Sequence, residues 1–131
     1  MTKAKGSFEL ASWQEDTYED LGDGAKLTRA SVTQTFNGDV DGEGAVEWLM
    51  AYRPDGTAHF VGLQRIRGAV DGHKGTFVLA TIGEFDGQMA SWTASVVAGS
   101  GTAELVGMTG SGKFDAPRGP KATFDLDYQL C

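Results

Sequence analysis

Apolar and polar residues alternate along most of this chain, and the alternation is cleanest near its end. Ala122, Phe124, Leu126, Tyr128 and Leu130 are apolar, while Thr123, Asp125, Asp127 and Gln129 are polar. A period of two sends successive side chains to opposite faces of a strand, so one face here is buried and the other wet. The same period organises Ala45 to Gly68, where Val46, Trp48, Met50 and Tyr52 precede a turn and Phe60, Gly62, Gln64 and Ile66 follow it. That turn is Tyr52-Arg53-Pro54-Asp55-Gly56-Thr57. Proline presets φ, aspartate bonds its local backbone and glycine accepts a positive φ, so the segment reads as a hairpin tip.

Upstream, Gly6 to Trp13 alternates through Phe8 and Leu10, and Leu27 to Phe36 places Ala30, Val32 and Phe36 on one face. Between them Gln14 to Lys26 is acidic and ends in Leu21-Gly22-Asp23-Gly24, which reads as a connection and a turn. Asn37-Gly38 is a hairpin or bulge signal. Downstream, Asp71 to Gly75 turns, Thr76 to Phe85 puts Phe77, Leu79, Thr81, Gly83 and Phe85 on one face, and Asp86-Gly87 turns again. Ala90 to Val97 follows with Trp92, Ala94 and Val96 together, then a break at Gly99-Ser100-Gly101. Thr102 to Gly107 and Ser111 to Asp115 are shorter strand candidates, and Pro117-Arg118-Gly119-Pro120 is a loop. No window carries the apolar spacing of a helix.

Roughly eight strands joined by tight turns predict an all-β protein, a closed antiparallel barrel in preference to a sandwich, because closure removes exposed edges. A length of 131 residues predicts one domain over the whole chain. The 19 glycines and 3 prolines are spread evenly, as turn punctuation would be.

Charge narrows the partners. A net charge of −7 repels phosphate backbones and anionic lipid, which argues against nucleic acid and membrane surfaces. Met1 to Gly6 lacks the apolar run of a signal peptide and no stretch reaches the roughly 18 apolar residues of a membrane span, so the expectation is a cytoplasmic protein. The single cysteine is Cys131, which excludes an internal disulfide.

Motifs for known chemistry fail on inspection. Gly107 to Lys113 has the spacing of a phosphate-binding loop, but Phe114 stands where Ser or Thr should hold magnesium, and Pro117 and Pro120 oppose the helix that would follow. Asn37, Asp39 and Asp41 begin like a calcium loop, yet its twelfth position is Trp48. His59 and His73 have no metal-ligand spacing and read as surface residues, and no serine nucleophile has a histidine placed for it. No cofactor or metal is expected.

What remains is the barrel interior. Inward parity brings together Trp48, Met50, Tyr52, Phe60, Gln64, Leu79, Thr81, Trp92 and Tyr128. A mostly apolar, aromatic lining with a few polar groups is the makeup of a small-molecule pocket and equally of a filled core. Glu47 and Arg65 fall on the outward parity.

The segments Leu27-Thr28-Arg29-Ala30, Leu49 to Ala58, Phe60-Val61-Gly62-Leu63, Gly75 to Leu79, Phe85-Asp86-Gly87 and Gly99 to Thr102 resemble a bacterial family of small domains of unknown function. That family is similar in fold to the allene oxide cyclase barrel, a calycin-like barrel of eight strands, and the resemblance implies that fold with no assigned activity. Its pattern commonly has a glutamate where this chain has Gln64, and a Gln-His pair where it has Ala80-Thr81. Those departures remove an acid/base pair from the inward face. Three functions stay open: a module binding a small, largely apolar molecule through Gln64, Tyr52 and Thr81; an isomerase or cyclase using the same cavity; and a homodimer joined through Leu49, Ala51, Val61 and Leu63 on the outer face.

Overall fold

The computed structural model describes residues 2–117 and 122–130; Arg118, Gly119 and Pro120 of the predicted loop lie outside them. The strands are β1 (Thr2–Gly22), β2 (Ala25–Gly38), β3 (Val40–Tyr52), β4 (Ala58–Val70), β5 (His73–Phe85), β6 (Met89–Val96), β7 (Thr109–Pro117) and β8 (Ala122–Gln129). Each pairs antiparallel with the next, and β1 closes the barrel on β8 from Thr2↔Tyr128 to Phe8↔Ala122. The predicted all-β closed barrel of eight strands is the observed fold.

Strand parity is observed as predicted. Phe60, Gln64 and Ile66 of β4, Phe77, Leu79 and Thr81 of β5, and Phe124, Leu126 and Tyr128 of β8 are all buried. Glu47 and Arg65 face out. Glu47 takes a 2.7 Å ion pair from Arg29, and hydrogen bonds from Ser31 and Arg29 hold its carboxyl below the usual range. At the barrel's waist the interior is filled by aromatic rings. Trp92 stacks on Phe114 at 5.2 Å between centroids, meets Trp48 edge-on at 5.0 Å, and Phe8 and Phe36 pack beside them. Room for these rings comes from two glycines in the wall. A Cβ on Gly62 would sit 2.5 Å from Trp48, and one on Gly83 would sit 2.6 Å from Phe60 and from Trp92.

Two predicted segments are corrected. Gln14 to Lys26 is no connection: β1 runs on to Gly22 and pairs with β2 throughout, and only Asp23 and Gly24 turn. Two of its acidic residues stand opposite basic ones across the ladder, Asp16 facing Arg29 and Asp20 facing Lys26, so part of the charge that reads as a solvated linker is matched by β2. Thr102 to Gly107 is no strand: it holds a short 3₁₀ helix, Ala103–Leu105, whose Leu105 is buried together with Met108. These two side chains help fill the end of the barrel that carries Val40 and Val70. The same segment satisfies β5 through side chains, since Glu104, Thr102 and Ser100 accept hydrogen bonds from the backbone N–H groups of Lys74, Thr76 and Val78 at 2.8 to 3.0 Å.

The β3–β4 tip is the turn its residues dictate. Asp55 accepts from both the backbone and the hydroxyl of Thr57, and Gly56 adopts φ +88°. Nothing lies within 4 Å of a Cβ built on Gly56, so the penalty for a side chain there is purely conformational. Gly56→Val is therefore expected to destabilise by about 1 to 3 kcal/mol, measured by urea or thermal unfolding; a variant that unfolds with the parent would refute the assigned turn.

Candidate functional site

The barrel's other end, where Tyr52, Ala58 and Phe85 lie, is open. Among the described residues β8 pairs with β1 only as far as Phe8, and beyond it β2 is the strand that pairs with β1. A register shift between Leu10 and Ser12 inserts Ala11 as a bulge, and this one extra residue puts Trp13 and Glu15 opposite the inward residues Val32 and Ala30. Leu10 and Trp13 thereby form one side of a hollow of about 200 Å³. Trp48, Met50 and Tyr52 of β3 and Phe60 of β4 form its floor and back, while Phe85, Ala90, Trp92 and Ala116 complete the far wall. Trp13 meets Trp48 with ring centroids 5.9 Å apart, which ties the β1 arm to the floor.

Polar groups gather at the rim. Glu15 accepts hydrogen bonds from Trp13 Nε1 at 3.1 Å and Thr28 Oγ1 at 2.6 Å. Burial, and hydrogen bonding to Glu15, push the pKa of the Tyr52 hydroxyl well above the ordinary tyrosine value. The Lys26 ammonium lies 5.0 Å above the Tyr52 ring. Below the rim the surface is almost wholly carbon.

Five of the nine inward residues meet at this hollow: Trp48, Met50, Tyr52, Phe60 and Trp92. The other four lie elsewhere along the axis. Thr81 is one level down, accepting from Trp48 Nε1 at 3.2 Å and donating to the Gly62 carbonyl at 3.1 Å. Leu79 and Gln64 are fully buried in the body of the barrel, where Gln64 Nε2 donates to Gln34 Oε1 at 2.6 Å. Tyr128 stands near the opposite end and donates to Asp71, which with burial pushes its hydroxyl pKa up to about 12. Leu10 and Phe85, which alternation already set on the faces of Phe8 and Leu79, join the hollow with Trp13, Ala90 and Ala116, and Glu15 stands at its rim; none of the six was among the nine candidates.

Three buried polar atoms find no partner among the described residues: Gln34 Nε2, Gln64 Oε1 and Trp92 Nε1. The two amides share one hydrogen bond, and exchanging N and O in both leaves the same count, so one donor and one acceptor stay unpaired either way.

Other chemistry is not assembled here. The Gly107 to Lys113 stretch enters β7 as a strand, with no helix N-terminus to cradle phosphate. His59 faces outward and pairs with Glu84, which also takes a 2.8 Å ion pair from Arg53. Among the described residues no three His, Cys, Asp or Glu side chains are placed to share a metal ion, and no helix is long and apolar enough to cross a membrane.

A small closed β-barrel with an apolar hollow at one end is thus the class that fold and site define. The chain belongs to the family described as protein of unknown function (DUF3224), whose sequence pattern matches residues 4–128. It is similar in structure to a protein with unknown function of that family from Shewanella oneidensis MR-1. Their identity is 24%, the TM-score is 0.79, and the match covers 100% of this chain and 98% of that one. That likeness speaks to the fold alone. No curated protein matches this chain.

The interior position of Gln64 has a measurable consequence. Gln64→Glu places a carboxyl at a fully buried position beside Gln34, where desolvation raises its pKa and the protonated acid can donate to Gln34 Oε1. An NMR titration is expected to show this carboxyl ionising well above that of a Gln129→Glu control on the exposed face of β8. Equal titration of the two would place position 64 in solvent.

Proposed function

We propose that this chain is a binding module that holds a small, largely apolar molecule at the open end of its barrel, against Trp48, Met50, Tyr52, Phe60 and Trp92. The observation that carries the reading is the apolar hollow of about 200 Å³ above a packed aromatic floor. Its size is below the ~300 to 1,000 Å³ typical of drug-sized sites, so the fitting molecule is a compact carbon skeleton, with the Tyr52 hydroxyl as one polar contact. An isomerase or cyclase would need a group to move a proton or stabilise charge at the reacting atoms. Thr81 and Gln64, the inward polar candidates, are instead engaged with Trp48, Gly62 and Gln34 below the hollow. Binding without turnover is the reading this arrangement favours.

Calorimetry with compact apolar alcohols such as geraniol and p-cresol tests it. Saturable binding with a negative heat-capacity change is expected, and Ala90→Phe, which fills the hollow from its rim, is expected to weaken it by at least about tenfold. Absence of saturable binding, or full binding to the filled variant, would remove the proposal.

The outer wall favours a second, compatible reading, a homodimer. Leu49, Val61 and Ile82 stand in one cross-strand row on β3, β4 and β5, next to Leu63, and these four side chains are 39% to 58% exposed. Contiguous outward apolar side chains of this kind mark an interaction surface. Sedimentation is expected to show a dimer that the double variant Val61→Lys, Leu63→Lys converts to monomer with an unchanged circular-dichroism spectrum. A parent that sediments as a monomer at every concentration would exclude the dimer.

A further inference from the structure

Among the described residues β1 is paired along both edges only as far as Phe8. From Glu9 to Gly22 β2 takes one edge, and no described residue takes up the ladder on the other. An unpaired edge presents N–H and C=O groups in register, a template for one more strand. The chain deals differently with the corresponding edge at the opposite end. There β6 stops at Val96 opposite Leu79, and the remainder of β5 is covered by Ser100, Thr102 and Glu104.

The open edge carries a distinct set of side chains. Leu10, Trp13, Tyr18 and Leu21 all lie on it, between 44% and 58% exposed. Glu9, Glu15, Asp16, Glu19, Asp20 and Asp23 bring six carboxylates, and residues 6–25 contain no lysine or arginine. Irregularities between Leu10 and Ser12 and between Thr17 and Glu19 bound a regular stretch from Ser12 to Thr17. Bulges interrupt pairing, so they confine an added strand to that stretch and fix its register.

We infer that Ser12–Thr17 is a docking edge for an extended, cationic segment of a partner protein, added to the sheet as a further strand. Main-chain hydrogen bonds would hold the segment, its lysines or arginines would meet the carboxylates of β1, and its apolar side chains would rest on Trp13 and Leu10. Charge selects this occupant over a second copy. Two β1 edges paired together would set carboxylates against carboxylates, with no lysine or arginine in residues 6–25 of either copy, and like charges across a ladder are destabilising. The surface is separate from the β3–β5 wall and shares Leu10 and Trp13 with the rim of the hollow.

The test is amide hydrogen exchange of the full chain with a ten-residue alternating lysine–valine peptide and, as a control, its glutamate–valine counterpart. The lysine peptide is expected to slow exchange of the free-edge amides between Ser12 and Thr17 by at least about tenfold, and the glutamate peptide to leave them unchanged. The double variant Glu9→Lys, Glu19→Lys, whose positions face Thr35 and Leu27 across the β1–β2 ladder, is expected to weaken binding of the lysine peptide about tenfold with the same melting behaviour. No slowing at millimolar lysine peptide, or equal slowing by both peptides, would overturn the inference. Protection that rises with protein concentration in the absence of peptide would assign the edge to a second copy instead, which also overturns it.

Discussion

The indole of Trp48 lies across Gly62 and reaches Thr81 on the next strand, and much of the rest of the molecule follows from that crossing. It requires a strand residue with no side chain, because a Cβ at position 62 would collide with the indole ring. It also requires a hydroxyl at position 81, which accepts a hydrogen bond from the indole N–H and donates one to the Gly62 carbonyl. So placed, Trp48 brings its ring against Phe60, Trp92 and Trp13 at once. Aromatic pairs of this geometry are worth about 0.5 to 1.5 kcal/mol each beyond their burial. The waist of the barrel is packed solid for this reason, and the apolar hollow lies at the end above it.

A filled waist has a polar cost. Gln34 and Gln64 sit in it with two unpartnered atoms between them, and the Trp92 N–H adds a third. Leaving such a group unpaired costs about 1 to 3 kcal/mol, whereas apolar residues of the same shape would cost nothing of the kind. Stability alone therefore does not account for these side chains. The Tyr128 end shows the contrast: its phenol is bonded to Asp71, and the N–H groups of β5 nearby have side-chain acceptors.

Much of this was legible in the residues. Parity identified the inward side chains of β3, β4, β5, β6 and β8, and the turn at Pro54-Asp55-Gly56 followed from local backbone chemistry. Depth was not legible. Gln64, Thr81 and Tyr128 share a face with Trp48, yet they sit at different levels, because level depends on the stagger between strands and no single strand's alternation contains it. The β1 arm was misread for two separate reasons. The bulge at Ala11 breaks the alternation that would have extended the strand, and the carboxylates of residues 15–20 resemble a solvated linker until Asp16 and Asp20 are known to stand opposite Arg29 and Lys26. Thr102 to Gly107 read as a short strand, but it holds a 3₁₀ turn, and Ser100, Thr102 and Glu104 serve β5 through their side chains.

The two ends of the barrel thus differ in kind, and the difference lies in how each strand edge is finished. At one end Leu105 and Met108 fill the interior and polar side chains cover the edge of β5. At the other, β1 continues beyond the last described pair with β8, Phe8 with Ala122, and the hollow lies beside this extension with no described residue paired along its second edge. Leu10 and Trp13 belong to both, lining the hollow and standing beside the edge. Whatever free energy couples a molecule in the hollow to a strand on the edge must therefore act equally in both directions. Trp13 is where such coupling would be carried, because its ring rests on Trp48 at the floor while its indole N–H is bound to Glu15 at the rim.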